Sequence, residues 1–106
     1  MPDPAFDAPT LHIYAQGAWH EDAFIVGTRA GLIALQAAIA DALAQGTSAV
    51  EVTVSDGEGY HVLVMCCPPK AIDGMKLPYT DPIAAAAHGE HPATLLTTDE
   101  YRRLTQ

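Results

Sequence analysis

Two β-branched runs, Ala49 to Ser55 and Tyr60 to Cys67, flank the acidic, glycine-rich stretch Asp56-Gly57-Glu58-Gly59. Apolar residues alternate along the first run, and glycine in the connection admits a tight turn, so the pattern predicts a β-hairpin. A three-residue loop, Gly57-Glu58-Gly59 with Gly59 left-handed, sets Val50, Val52 and Val54 on one face with Val62, Val64 and Cys66, the expected core face. A four-residue loop slips the register by one and brings His61, Leu63 and Met65 beside those valines instead. The run from Tyr60 to Cys67 is apolar on both faces, so its second face needs a cover, either the C-terminal third of the chain or another subunit.

Upstream the period changes. Thr28 is placed to cap a helix in which Leu32, Leu35, Ile39, Ala42 and Leu43 recur at steps of three and four, and Gly46 is placed to end it. Ala37, Ala38, Ala40 and Ala44 raise helix propensity and keep the other faces thin enough for close approach to a neighbour. Ahead of the helix, residues 11–15 and 23–27 read as strands joined by Gln16 to Asp22, a loop holding the only Trp, Trp19. After Pro68-Pro69, residues 70–80 read as a loop. Asp81 caps a short helix with Pro82 at its first position, running to about His88-Gly89, and Ala93 to Leu96 reads as extended. Thr97 and Glu100 form a capping box for a last short helix.

These elements predict an α+β fold: a four-stranded antiparallel sheet in ββαββ order, with the main helix packed on one face and short C-terminal helices following. Ile13, Ile25, Leu32, Leu35, Ile39, Leu43, Val50, Val52, Val54, Val62 and Val64 form the expected core. Residues 1–9, with three prolines and little apolar content, read as a flexible arm, and residues 10–106 as one domain.

Charge narrows the partners. Five Lys and Arg against thirteen Asp and Glu give a net charge of −8, which repels phosphate backbones and anionic lipid, so neither nucleic acid nor a membrane is expected. Asp3, Asp7, Glu21 and Asp22 are unopposed by any Lys or Arg before residue 28, and that end would steer a basic partner surface. The start of the chain lacks the basic and apolar regions of a secretory signal, which leads to the expectation of a cytoplasmic protein. Cys66 and Cys67 are adjacent on a strand and point to opposite faces, so they read as free thiols.

Candidate chemistry is sparse. His88 and His91, or His20 with Glu21 and Asp22, suggest metal ligands, but Gly89 and Pro92 break the helix a zinc motif needs, and His88 is better placed to cap helix carbonyls; no metal or cofactor is expected. The Asp56–Tyr60 turn has too few oxygen ligands for calcium. His61 and Cys67 share a strand face about 20 Å apart, too far for a nucleophile and its base. The junction at Thr28 and Arg29 offers free N–H groups, a helix dipole and a guanidinium, which makes it the anion-binding candidate.

The runs Leu-His-Ile-Tyr-Ala at 11–15, Gly-Thr-Arg-Ala-Gly-Leu at 27–32, Asp-Gly-Glu-Gly-Tyr at 56–60 and Leu-Pro-Tyr at 77–79 resemble small bacterial proteins of Burkholderia-type proteobacteria. The resemblance spans most of residues 11–80. It implies a bacterial cytosolic origin and carries no activity, cofactor or site residue with it.

The expected function is a non-catalytic, acidic protein-interaction module of the accessory, inhibitor or immunity type, a monomer or weak homodimer. It meets its protein partner through Trp19, His20, Glu21, Asp22, Glu58, Tyr60 and Tyr79, as exposed aromatics flanked by charge suit recognition. The alternative is a small-molecule or hydrolytic domain that holds an anion at Thr28 and Arg29, with His12, His20 or His61 as acid or base.

Overall fold

The computed structural model describes residues 8–85 and 89–106. Its elements run β1 (Leu11–Tyr14), β2 (Phe24–Gly27), α1 (Arg29–Gln45), β3 (Thr47–Thr53), β4 (Gly59–Met65), α2 (Pro69–Asp73), α3 (Pro82–Ala85), a 3-10 turn (Pro92–Leu95) and α4 (Thr98–Leu104). The fold is α+β and the ββαββ order holds. The single four-stranded sheet is replaced by two antiparallel pairs, β1 with β2 and β3 with β4. A lone parallel bridge, Thr10 to Thr53, joins the pairs. Side chains take over where that ladder would continue: the Tyr60 hydroxyl donates to the Leu11 carbonyl at 2.5 Å, and the His12 ring accepts from the Ser55 N–H at 3.0 Å. The Leu11 carbonyl and the Ser55 N–H are thus satisfied by side chains in place of a strand partner.

The β3–β4 hairpin places Val50 opposite Val62, Val52 opposite Tyr60 and Ser48 opposite Val64, so the valines share one face. The connecting loop is three residues long but lies two earlier than expected. The Val54 N–H donates to the Glu58 carbonyl, Ser55-Asp56-Gly57 turn the chain, and the left-handed glycine is Gly57 at φ 92° rather than Gly59. A shift of two preserves the side-chain alternation, which is why the face is right although the turn is not.

Helix α1 forms where its caps place it: the Thr28 hydroxyl accepts from the Gly31 N–H at 3.1 Å, and the Gly46 N–H returns to the Ala42 carbonyl. Its orientation differs from expectation. Gly31, Ala38 and Ala42 are buried, whereas Leu32, Ile39 and Leu43 are 43, 44 and 71% exposed. Small residues let the helix come close to the hairpin and to β1. Ser48, buried on β3, donates to the Ala38 carbonyl, and a Cβ on residue 31 would collide with the Thr10 carbonyl oxygen. Large side chains do not fit against backbone at that distance, so Leu32 and Leu43 face outward while Leu35 stays half-buried.

Core membership changes accordingly. Leu11 and Val52 are the largest fully buried side chains, and Ala38, Ala42 and Ala84 are buried as well. Leu35, Val50, Val54, Val62 and Val64 are half-buried, while Ile13 and Ile25 lie open on the β1–β2 pair. Residues 70–80 are not all loop, since α2 fills Pro69–Asp73, and the stretch expected to extend from Ala93 is the 3-10 turn. Asp81 does cap α3, accepting from the Ile83 N–H, and Thr97 with Glu100 closes both bonds of the capping box on α4. Of the predicted arm, residues 1–7 lie outside the described residues; the carbonyls of Ala8 and Pro9 accept from Thr28 Oγ1 and the Thr53 N–H.

Candidate functional site

Trp19 and Tyr79 meet. The loop between β1 and β2 is held by the Glu21 carboxylate, which accepts from the N–H groups of Gly17 and Ala18, and by the Gln16 amide donating to the Glu21 carbonyl. Thr80 and Asp81 then donate their N–H groups to the carbonyls of Gln16 and Gly17 at 3.0 and 2.8 Å, which brings the distant Leu77-Pro78-Tyr79 stretch alongside. The Trp19 and Tyr79 rings lie edge to face, centroids 6.3 Å apart at 67°. Trp19 remains 58% exposed. His20 adopts φ 64°, a conformation that turns the chain before Glu21.

Beside this pair runs an open groove of about 470 Å³, lined by Ile72, Met75, Lys76, Leu77, Tyr79 and His91. Its far wall is built by strand-like stitching: the Lys76 N–H donates to the Glu90 carbonyl and the Glu90 N–H to the Gly74 carbonyl. His91 turns its Nδ1 to the Ala93 N–H at 3.0 Å, capping the 3-10 turn. The groove continues into a smaller hollow of about 230 Å³ where Leu63 and Met65 of β4 face Leu96 and Tyr101. The second face of β4 is therefore lined by the C-terminal segment of the same chain.

The remaining expected site residues separate from this pair. Tyr60 is half-buried, its hydroxyl spent on Leu11 and its ionisation pushed up by burial, so it supports the fold rather than the surface. Glu58 is exposed at the β3–β4 tip, where its N–H donates to the Asp56 carboxylate. Among the described residues no hydrogen bond or aromatic contact links that tip to Trp19. Glu21 holds its own loop, while His20 and Asp22 are exposed.

At the anion candidate Arg29 is exposed, and part of the helix start is taken up by the chain itself. Thr28 Oγ1 accepts from the N–H groups of Gly31 and Thr10, and the Thr28 N–H donates to the Thr10 carbonyl, so Thr28 is tied to the chain just ahead of β1. His12 is engaged on both ring nitrogens: accepting from Ser55 at Nε2 leaves the proton of the neutral ring on Nδ1, which donates to the Tyr14 hydroxyl at 2.7 Å. His61 lies opposite Glu51 on the exposed face of the hairpin. Among the described residues no three His, Cys, Asp or Glu side chains converge as metal ligands; His88 lies outside them. Cys66 is exposed and Cys67 half-buried, both as free thiols.

What the sequence reading missed is apolar surface. Ten large hydrophobic side chains between Ile13 and Leu43 are at least 43% exposed, among them Phe24, Ile25 and Val26 on three successive positions of β2. The signal was available in the length of β1 and β2: two four-residue strands cannot cover each other on both faces. No helix among the described residues is long and apolar enough to cross a membrane. No protein-family model matches the chain, and neither the curated proteins nor the solved structures give a match.

Proposed function

We propose that this chain is a non-catalytic protein-interaction module of a bacterial cytosol, an accessory or inhibitory partner whose recognition element is the Trp19–Tyr79 pair at the mouth of the Ile72–Leu77 groove. One observation carries this reading: the single Trp stands mostly in solvent against a second aromatic, next to an apolar concavity with Lys76 and His91 at its edge. Large aromatics beside a desolvated hollow are the usual anchors of protein recognition. Glu21 and Asp22 lie on the same loop as Trp19 and add the acidic rim that suits a basic partner surface.

The test is affinity capture at low salt, comparing the full chain with Trp19→Ala/Tyr79→Ala, both checked for folding by circular dichroism. A partner retained by the first and lost by the second supports the reading. Capture that is indifferent to the double substitution overturns it. The anion-binding alternative is met by thermal-shift screening with phosphate and small carboxylates. A stabilisation abolished by Arg29→Ala would favour it over the interaction module.

A further inference from the structure

We propose that two copies of this chain pair edge to edge through β2, antiparallel about a two-fold axis at Ile25, extending the β1–β2 pair into the four-stranded sheet β1–β2–β2–β1. This edge adjoins the Trp19 loop through Asp22, but the proposal does not rest on the Trp19–Tyr79 reading.

The backbone supplies the first argument. The Thr28 N–H donates to the Thr10 carbonyl, so in this antiparallel ladder, where bonded and non-bonded pairs alternate, His12–Val26 and Tyr14–Phe24 are bonded pairs. The N–H and C=O groups of Ile25 and Gly27 consequently point away from β1, along an edge that no strand pairs with among the described residues. Folded proteins blunt such edges with Lys, Pro, bulges or a covering element. Among the described residues Phe24-Ile25-Val26-Gly27 has none of these, and its three large side chains are 57, 55 and 57% exposed. The outer edge of β4 differs, because its side chains from Val62 to Met65 are already half-buried.

Self-complementarity argues for a second copy as the occupant. Pairing Ile25 with Ile25 places Gly27 of each chain opposite Ala23 of the other, so each free N–H meets a free carbonyl. It also sets Phe24 beside Val26 of the second copy, a large side chain against a smaller one, in the close non-bonded register. The ends match in charge. Asp22 precedes the strand and Arg29, the only Lys or Arg before residue 70, follows it, so antiparallel copies bring each Asp22 to the other copy's Arg29. Residues 23–28 carry no charge, which keeps the −8 of each chain away from the junction.

The seam is small: only Phe24, Ile25 and Val26 of each copy lie at it, and edge-to-edge pairing covers part of their exposed surface, which falls below the roughly 1,000 Å² of a tight interface and fits a weak dimer held largely by main-chain hydrogen bonds. An uncharged, apolar edge of this kind would not recruit a basic partner.

Sedimentation and light scattering on the full chain are expected to give twice the 11.2 kDa of one copy at about 100 μM, with Ile25→Lys weakening the dimer by about 100-fold. Arg29→Asp and Asp22→Arg should each weaken it by about 5-fold, and the two together should restore it. In a Cys66→Ser/Cys67→Ser background, Ile25→Cys should form a disulfide-linked dimer on mild oxidation. Ile13→Cys, on the far strand of the same face, should not. A single-chain mass at that concentration sinks the proposal, as does a dimer indifferent to Ile25→Lys or cross-linked equally through Ile13→Cys. Should Ile25→Lys fail to fold, the charge-reversal series decides: no weakening by the single changes, or no recovery in the pair, overturns it.

Discussion

Tyr60 shows how a residue read as surface chemistry can serve the fold. Its hydroxyl reaches the carbonyl of Leu11, a residue buried completely and 49 positions away, and no sequence pattern marks a contact at that separation. Tyr60→Phe should therefore cost about 1–2 kcal/mol in urea unfolding, because the Leu11 carbonyl is left without its partner. At the opposite extreme, the Thr97–Glu100 capping box was legible from spacing alone, and its chemistry makes a pH prediction. The Thr97 N–H and hydroxyl, with Arg103 nearby, hold the Glu100 carboxyl below its ordinary value of 4.5. A depressed carboxylate stabilises the folded form above the unfolded value, and that contribution fades as pH falls from 4.5 through the lower folded value. Amide signals of the first turn of α4 should thus broaden or shift on acidification in that window, and in Thr97→Ala they should be weak already at neutral pH. An α4 indifferent to both changes would contradict the cap.

At the scale of the element, α1 separates what periodicity can say from what it cannot. Helix, caps and length followed from Thr28, the three-and-four spacing and Gly46, since these depend only on local backbone chemistry. The inward face did not, because the choice between the leucine stripe and the Gly31–Ala38–Ala42 stripe is made by how closely β1 and β3 approach, a tertiary distance. Ser48 bonded to the Ala38 carbonyl and Thr10 against Gly31 set that distance, and only the small stripe fits. Denaturation curves can check it directly. Ala38→Leu should lose about 1–3 kcal/mol through overpacking, while Leu43→Ala should stay within about 0.5 kcal/mol. The opposite ranking would restore the leucines to the core. The hairpin teaches a related point: valine alternation fixes the face but not the turn, since moving the loop by two residues leaves every side chain on its original side.

The whole molecule concentrates its order in α1 packed on the β3–β4 hairpin, and leaves β2 and the C-terminal segment with less to hold them. The sequence could not reveal that imbalance, because alternation in residues 11–15 and 23–27 reads the same whether a third strand lies alongside or not. Native-state hydrogen exchange separates the two cases at single amides. Protection should be greatest where both sides are covered, around Ala42 in α1 and Val52 in β3, as these amides open only with the global unit. In β2 the alternation of bonds makes a sharper forecast: the amides of Phe24 and Val26 are protected by β1, whereas Ile25 and Gly27 face outward and exchange freely in an isolated copy. Raising the concentration until copies associate should protect Ile25 and Gly27 selectively and leave the α4 amides unchanged. Protection that instead rises uniformly would trace to global stabilisation by association through some other surface, and the outward amides of β2 would then have no partner.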